Sequence, residues 1–216
     1  MTDSVPSISL EPGLEIGYGA PLASIETQIE LGGGTHFLIA RNGRGKTTLL
    51  RTLARTLKPV AGHFLSRGHG QYLPEDLRFD PEIPATLIFR SMLPKNIVKS
   101  ALELAGRLEL DVKKPYGRLS TGNRRKVHLI MAESSVKEDA ANILLLDEPF
   151  SGMDAFARQV FEEIWQSSAR NVLRLVSCHP DYDSMVLTSA LMIEGNEVRH
   201  LMSEGQTWSE LKGRLN

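Results

Sequence analysis

The chain of 216 residues is 41% hydrophobic and 24% charged, the profile of a folded domain rather than of a disordered segment. Its 25 Lys and Arg against 26 Asp and Glu leave a net charge of −1, which gives no support to an extended nucleic-acid-binding surface. The single cysteine, Cys178, excludes an internal disulfide framework and a multi-cysteine zinc site, and fits a reducing compartment. The most apolar short run, Ile143 to Leu146, falls far below the ~20 residues of a spanning helix. Met1-Thr2-Asp3-Ser4 has neither the positive start nor the apolar stretch of a secretory signal. The expected location is the cytoplasm, with any membrane contact made through another protein.

In chain order, Leu22 to Leu31 alternates loosely as a strand, Gly32-Gly33-Gly34 turns the chain, and Phe37 to Ala40 reads as a buried strand. Apolar residues then recur at helical spacing from Thr47 to Lys58, and Pro59 predicts the stop. Gln71-Tyr72-Leu73 is a further short strand. From Glu75 to about Ala141 no strand-like run occurs, Pro81, Pro84 and Pro94 punctuate the chain, and Lys99 to Leu110 has helical periodicity. Strands resume at Ile143–Leu146, a fully apolar run of the kind covered on both faces. An amphipathic helix spans Ala155 to Ser167, a strand Val172 to Ser177, and a hairpin Val186–Ile193 and Glu197–His200 around Gly195-Asn196. Strands alternating with helices predict an α/β fold with a mainly parallel sheet and a helical insertion.

Two motifs in this frame carry chemistry. Between a strand and a helix stands Ala40-Arg41-Asn42-Gly43-Arg44-Gly45-Lys46-Thr47-Thr48, the context of a phosphate-binding loop. Its glycines let backbone N–H groups form an anion cradle, and the following helix adds its positive end. Lys46 suits the β- and γ-phosphates, and the Thr47 hydroxyl suits Mg²⁺. Ala40 holds the first glycine position, where a positive φ would cost about 1–2 kcal/mol. A Gly-rich turn before an ordinary helix is the alternative reading. The second motif is Asp147-Glu148 at the end of the apolar strand, the edge where ligands bind in open α/β sheets. Asp147 suits Mg²⁺, and Glu148 suits a general base on the water attacking the γ-phosphate. The alternative is a solvated acidic strand end.

Leu119-Ser120-Thr121-Gly122-Asn123 resembles the Leu-Ser-Gly-Gly-Gln signature of ATP-binding cassette (ABC) ATPases, with Thr121 and Asn123 substituted. With the phosphate loop, Asp-Glu-Pro and the strand ending near His179, it gives a resemblance running from about Tyr18 to Val198. The resemblance implies an α/β P-loop NTPase (RecA-like) core with a mainly parallel sheet, an N-terminal antiparallel β subdomain and a helical ABC-signature subdomain. The corresponding division is 1–75 plus 142–216 for the core with its β subdomain, and 76–141 for the helical subdomain.

Residue by residue, the resemblance assigns Tyr18, 28 positions before Lys46, to stacking on adenine, with an ordinary strand-end tyrosine as the alternative. Asn42, Gly43, Arg44, Gly45, Lys46, Thr47 and Thr48 cradle the ATP phosphates. Ser120, Thr121, Gly122 and Asn123 bind the ATP held by a second, head-to-tail cassette, with Ser120 and the Gly122 amide on its γ-phosphate. Asp154, in Ser151-Gly152-Met153-Asp154, resembles the D-loop acid that communicates across that interface. His179 resembles the switch histidine beside the γ-phosphate. Glu75, in Tyr72-Leu73-Pro74-Glu75, takes the place of the Q-loop glutamine on Mg²⁺; Gln71 lies four residues early. Arg124, Arg125 and Lys126 read as a solvated face or an interface contact of the signature helix. His36, His63, His69, His128 and His200 show no metal-ligand spacing.

The implied activity is that of an ATP-binding and ATP-hydrolysing subunit of a membrane transporter, with a second cassette, a separate transmembrane subunit, ATP and Mg²⁺ as partners and no nucleic acid. It resembles compact exporter-type cassettes, of the ABC-2 or haem-exporter kind. Peripheral attachment to the cytoplasmic membrane follows from such a partner. The family docks its membrane subunit near Leu77 to Leu93, whose apolar residues also suit a helical core. The alternatives are a soluble ABC ATPase driving another machine, as in iron–sulfur assembly, and a regulatory cassette with little hydrolysis, suggested by Ala40 and Glu75.

Overall fold

The computed structural model describes residues 5–168, 170–177, 186–203 and 206–215. The first segment supplies β1 (Ser7–Leu10), β2 (Glu15–Gly17), β3 (Pro21–Ser24), β4 (Ile29–Leu31), β5 (Gly34–Ile39), α1 (Lys46–Leu53), β6 (Phe64–Arg67) and β7 (His69–Leu73). Helices follow: α2 (Ala85–Met92), α3 (Lys95–Arg107), a 3₁₀ turn over Tyr116–Arg118 and α4 (Thr121–Ser134). The chain then returns through β8 (Asn142–Leu146), α5 (Ala155–Ser167), β9 (Val172–Ser177), β10 (Ser189–Glu194), β11 (Glu197–Met202) and α6 (Trp208–Lys212).

Two sheets result. A three-stranded antiparallel sheet has the order β4-β1-β6, and an eight-stranded sheet the order β2-β3-β11-β10-β5-β9-β8-β7. The run β10-β5-β9-β8-β7 is parallel throughout. Strand β9 therefore separates the strand before the phosphate loop, β5, from the strand before the acidic pair, β8. The small sheet passes into the large one through a single residue, Gly68, at φ 141°. A Cβ there would come within 3.2 Å of the Ala141 carbonyl.

Strand alternation divides the interior into two cores. Leu144, Leu146, Val172 and Val176 join one core with α2 to α5. Ile143, Leu145, Leu173 and Leu175 join the other with α1 and the small sheet. Every residue of β8 and β9 is buried, as the apolar patterning of a sheet covered on both faces requires. Parity along β8 and β9 consequently sends Asp147 and Ser177 toward the α1 side.

Two sequence expectations are corrected. The segment Leu22 to Leu31 is not one strand: β3 belongs to the large sheet and β4 to the small one, and buried Ile25 lies between them. The first helix ends at Leu53 rather than at Lys58. There Arg55 turns left-handed at φ 59°. The N–H groups of Arg55 and Thr56 reach back to the carbonyls of Thr52 and Arg51, closing the helix with a Schellman motif built without glycine. The Arg55 guanidinium lies 5.0 Å from the Phe64 ring centre, which offsets part of the left-handed cost.

Candidate nucleotide site

Lys46 opens α1, and Gly45 caps it at φ 109° without a side-chain cap, leaving the first amides of the helix for an anion. Gly43 is also left-handed, at φ 76°. The left-handed φ demands glycine at Gly45, and a Cβ there would also press on the Leu22 side chain at 3.3 Å. Ala40 is 1% exposed and is not among the described residues with positive φ, so alanine costs nothing in the first position. Its carbonyl accepts the Lys46 ammonium at 3.2 Å.

A cleft of roughly 620 Å³ opens at this end of the sheet. It gathers Tyr18, Asn42, Gly43, Gly45, Lys46, Thr47, Thr48, Glu75 and Glu148 on its walls, together with Leu22, Arg41 and Ser151. Arg44 is exposed beside it and ties its amide to the Arg41 carbonyl. Tyr18 is 63% exposed, with its hydroxyl 3.4 Å from an Arg51 guanidinium nitrogen. The phenols of Tyr72 and Tyr18 beside Arg51 raise its pKa further.

The acidic pair is held from two neighbouring strands. Asp147 is 1% exposed. Its Oδ1 accepts the Ser177 hydroxyl at 2.8 Å and its Oδ2 the Tyr72 phenol at 3.4 Å. The Ser177 oxygen in turn accepts the Glu148 N–H at 2.8 Å. Glu148 stands at φ 47°, a left-handed conformation costing an L-residue about 1–2 kcal/mol, and its carboxylate lies 3.6 Å from Lys46 Nζ. Ser177 and Tyr72 thus hold the acidic pair in place, and motif spacing misses both. The parallel register was the available signal: Leu146 lies opposite Val176, so one step further brings Asp147 beside Ser177.

Thr47, Asp147 and Glu75 all offer oxygen, the hard donor Mg²⁺ prefers, and a site with one or two carboxylates that relies on phosphates and water for the rest fits that ion. Among the described residues no cluster of three or more His, Cys, Asp or Glu forms a metal cage of its own. Glu75 is oriented through its backbone: its carbonyl accepts Arg125 Nη2 at 2.8 Å.

Ser120, Thr121, Gly122 and Asn123 are not in this cleft. They form the start of α4, where the Ser120 hydroxyl accepts the Asn123 N–H. Ser120 and Thr121 are exposed and Gly122 is buried. A Cβ at Gly122 would sit 2.2 Å from the Gly152 carbonyl, so this glycine is required by close backbone packing. Asp154 caps α5 through the Ala157 N–H and binds Lys126 Nζ at 2.9 Å. Lys126 beside it holds its carboxyl below the ordinary range, helped by the Ala157 amide.

The basic run of the signature helix corrects the solvated-face reading. Arg125 and Lys126 are each 5% exposed. Arg125 ties α4 to the Pro74 and Glu75 carbonyls, and Lys126 ties it to the Leu108 carbonyl and Asp154. Arg124 holds the Tyr116 and Gly117 carbonyls. His36 and His200, unrelated by spacing, flank the Ser189 hydroxyl at 2.7 and 2.8 Å. His179 and Cys178 lie outside the described residues.

Comparisons with known proteins show the family. The profile of the ABC transporter family matches residues 23–151. The chain is 32% identical over 158 residues to the cytochrome c biogenesis ATP-binding export protein CcmA of Sphingopyxis alaskensis, covering 68% of this chain and 78% of that one. It is 33% identical over 169 residues to an uncharacterized ABC transporter ATP-binding protein of Methanocaldococcus jannaschii, covering 74% of this chain and 62% of the relative, less than two thirds of its length. A solved ATP-binding subunit of an ABC transporter superposes with a TM-score of 0.75 at 18% identity over 98% of this chain and 99% of that one, a likeness of fold. The chain belongs to the ABC transporter family, as a subunit that binds and hydrolyses ATP.

Proposed function

We propose that ATP lies in the Tyr18–Lys46–Glu148 cleft of one cassette and is closed over by Ser120 to Asn123 of a second copy, head to tail. The observation that carries this reading is the separation of the two groups: the cleft has its own phosphate cradle and acids, while the exposed Ser120 and Thr121 crown a helix start elsewhere on the chain. A capped helix start with outward-facing donors is suited to a phosphate brought by a partner.

In the cleft, the amides from Asn42 to Thr48 cradle the phosphates and Lys46 compensates their charge. Tyr18 stacks on the base. Thr47 and Asp147 hold Mg²⁺, with Glu75 at its edge; when bound, that ion neutralises charge on the β- and γ-phosphates. Lys46 balances Glu148 until the γ-phosphate takes the lysine's charge and hands Glu148 to the attacking water, whose proton it accepts. His179 is proposed to orient the same water. The regulatory reading loses its motive at Ala40, which carries no left-handed strain.

Hydrolysis drives a separate membrane subunit; no helix among the described residues is long and apolar enough to cross a membrane. The run proposed to meet that subunit divides in two. Ile88, Phe89 and Leu93 are core, whereas Leu87 and Met92 are 46% and 60% exposed on α2 and are available to a partner. In this reading residues 76–141 form the helical subdomain that carries both the signature and that docking face, and the cassette sits on the cytoplasmic side of the membrane. Likeness to an export protein supports outward transport.

The test is ATP-dependent pairing. Glu148→Gln protein with Mg-ATP is expected to run as a dimer in size-exclusion chromatography with light scattering, and adding Ser120→Arg is expected to return it to monomer with ATP still bound. A doubly substituted protein that still dimerises would overturn the head-to-tail arrangement.

A further inference from the structure

The left-handed backbone at Glu148 is held at its N–H by the Ser177 hydroxyl, and its carbonyl accepts the Ser151 N–H at 3.2 Å. Glu148 follows Asp147 at the end of β8, and the peptide between them can rotate as a unit, exchanging ψ of one residue against φ of the next. At φ 47° Glu148 lies in the less favourable well for a side chain with a Cβ, so unrestrained rotation would carry it to negative φ. That rotation turns the Glu148 N–H out of reach of Ser177.

Ser177 opposes this rotation, and the direction of its hydrogen bonds is fixed by chemistry. Carboxylate oxygen accepts from a hydroxyl, and an amide can only donate. The lone hydroxyl proton of Ser177 therefore goes to Asp147 Oδ1 at 2.8 Å, and its oxygen lone pair takes the Glu148 N–H at 2.8 Å. Ser177 is 0% exposed, so water does not compete for either bond. One hydroxyl thereby sets a side chain and a backbone group of consecutive acids with different tasks. From the opposite strand, Tyr72 steadies the second oxygen of Asp147 at 3.4 Å but does not touch the Glu148 peptide.

We infer that Ser177 is a positioning residue for ATP hydrolysis: its hydroxyl latches the Asp147–Glu148 peptide, and with it the left-handed turn from which Glu148 projects into the cleft, and orients the Asp147 carboxylate in the same act. The inference rests on the proposed roles of the two acids. It assigns to β9, the strand between the phosphate-loop strand and the acid strand, the task of keeping them in register for chemistry.

The test compares Ser177→Ala with Ser177→Thr, which restores the hydroxyl. Three quantities are measured: hydrogen exchange at the Glu148 amide in nucleotide-free protein, kcat and KM for Mg-ATP, and the melting temperature. Removing the hydroxyl is expected to speed exchange of the Glu148 amide and to lower kcat by about 10- to 100-fold, the usual effect of losing a group that orients a metal-holding side chain. KM is expected to stay within about threefold, since the phosphate cradle is untouched. Threonine is expected to recover both protection and kcat. Should Ser177→Ala fail to fold, Ser177→Cys, with its weak thiol donor, is read in its place. An unchanged kcat in the alanine or cysteine variant, an amide equally protected without the hydroxyl, or a threonine variant as impaired as alanine would each overturn the inference. The exchange measurement involves no chemistry, so its result stands apart from whether Glu148 is the base, which Glu148→Gln decides.

Discussion

The Lys46 ammonium and the Glu148 carboxylate face each other at 3.6 Å, with side chains only 9% and 12% exposed. Each is the group the other leaves when phosphate enters, so their replacements should part company. Glu148→Gln is expected to lower kcat by about 10²- to 10⁴-fold while ATP remains bound. Lys46→Ala is expected to lose ATP binding itself. Equilibrium binding of a fluorescent ATP analogue beside steady-state turnover separates the two outcomes, and equal turnover in Glu148→Gln would remove Glu148 from its role.

Glu133 near the end of α4 and Arg174 in β9 form a two-pronged ion pair at 2.6 and 3.0 Å, with side chains 5% and 1% exposed. Trp165 Nε1 donates to the same carboxylate at 2.7 Å. Glu133→Ala strands a buried guanidinium and is expected to cost about 3–5 kcal/mol in urea unfolding. Replacing both charges, as Glu133→Leu with Arg174→Met, is expected to cost less than the single change. A double variant less stable than the single would show that the pair stabilises beyond its own desolvation.

Gly122→Ala places a Cβ where the Gly152 carbonyl stands, 2.2 Å away. The signature helix start or the loop before Asp154 must then shift. Turnover is expected to fall by about 10²-fold, as displacements near 1 Å commonly cause. ATP binding to the isolated chain is expected to persist, because the phosphate cradle lies on α1. Wild-type turnover in this variant would show that the contact yields without consequence.

His128, 1% exposed with its Nε2 beside the Tyr116 hydroxyl at 2.8 Å, is pushed down to about 3, by burial first and by Arg125, Arg78 and Arg124 after it. Below the ordinary value of 6.5 the unfolded chain binds a proton that the folded chain refuses. Stability from this residue is therefore complete above pH 6.5 and declines as pH falls toward 3. His128→Gln is expected to flatten the fall in unfolding free energy over that window relative to wild type. Parallel profiles would show that the histidine titrates alike in both states.

Long-period features were legible in the sequence because local forces dictate them. The phosphate loop, the apolar strand before Asp147, the helix over Ala155–Ser167 and the strand-free stretch before Asn142 all stand as read. What escaped depends on remote partners. β1 pairs with β4 and β6, some twenty and more than fifty positions away, and three or four residues show no period of their own. Arg124, Arg125 and Lys126 read as a solvated run because charge carries that expectation; carbonyls at Pro74, Leu108 and Tyr116 are invisible in a motif. Ser177 carries no motif at all, and its role emerges only from the register of β8 on β9.

Gly68 joins Arg67 in the small sheet to His69 in the large one with no spacer. A chain so short leaves no slack: sliding one sheet along the other by even one residue, about 3.3 Å, would tear a ladder on one side of the joint. The φ of 141° at Gly68 makes the turn between the two sheets, and the nearby Ala141 carbonyl leaves little room for a side chain there. The joint therefore ties the placement of β6 to that of β7, the strand that carries Tyr72 to the Asp147 carboxylate.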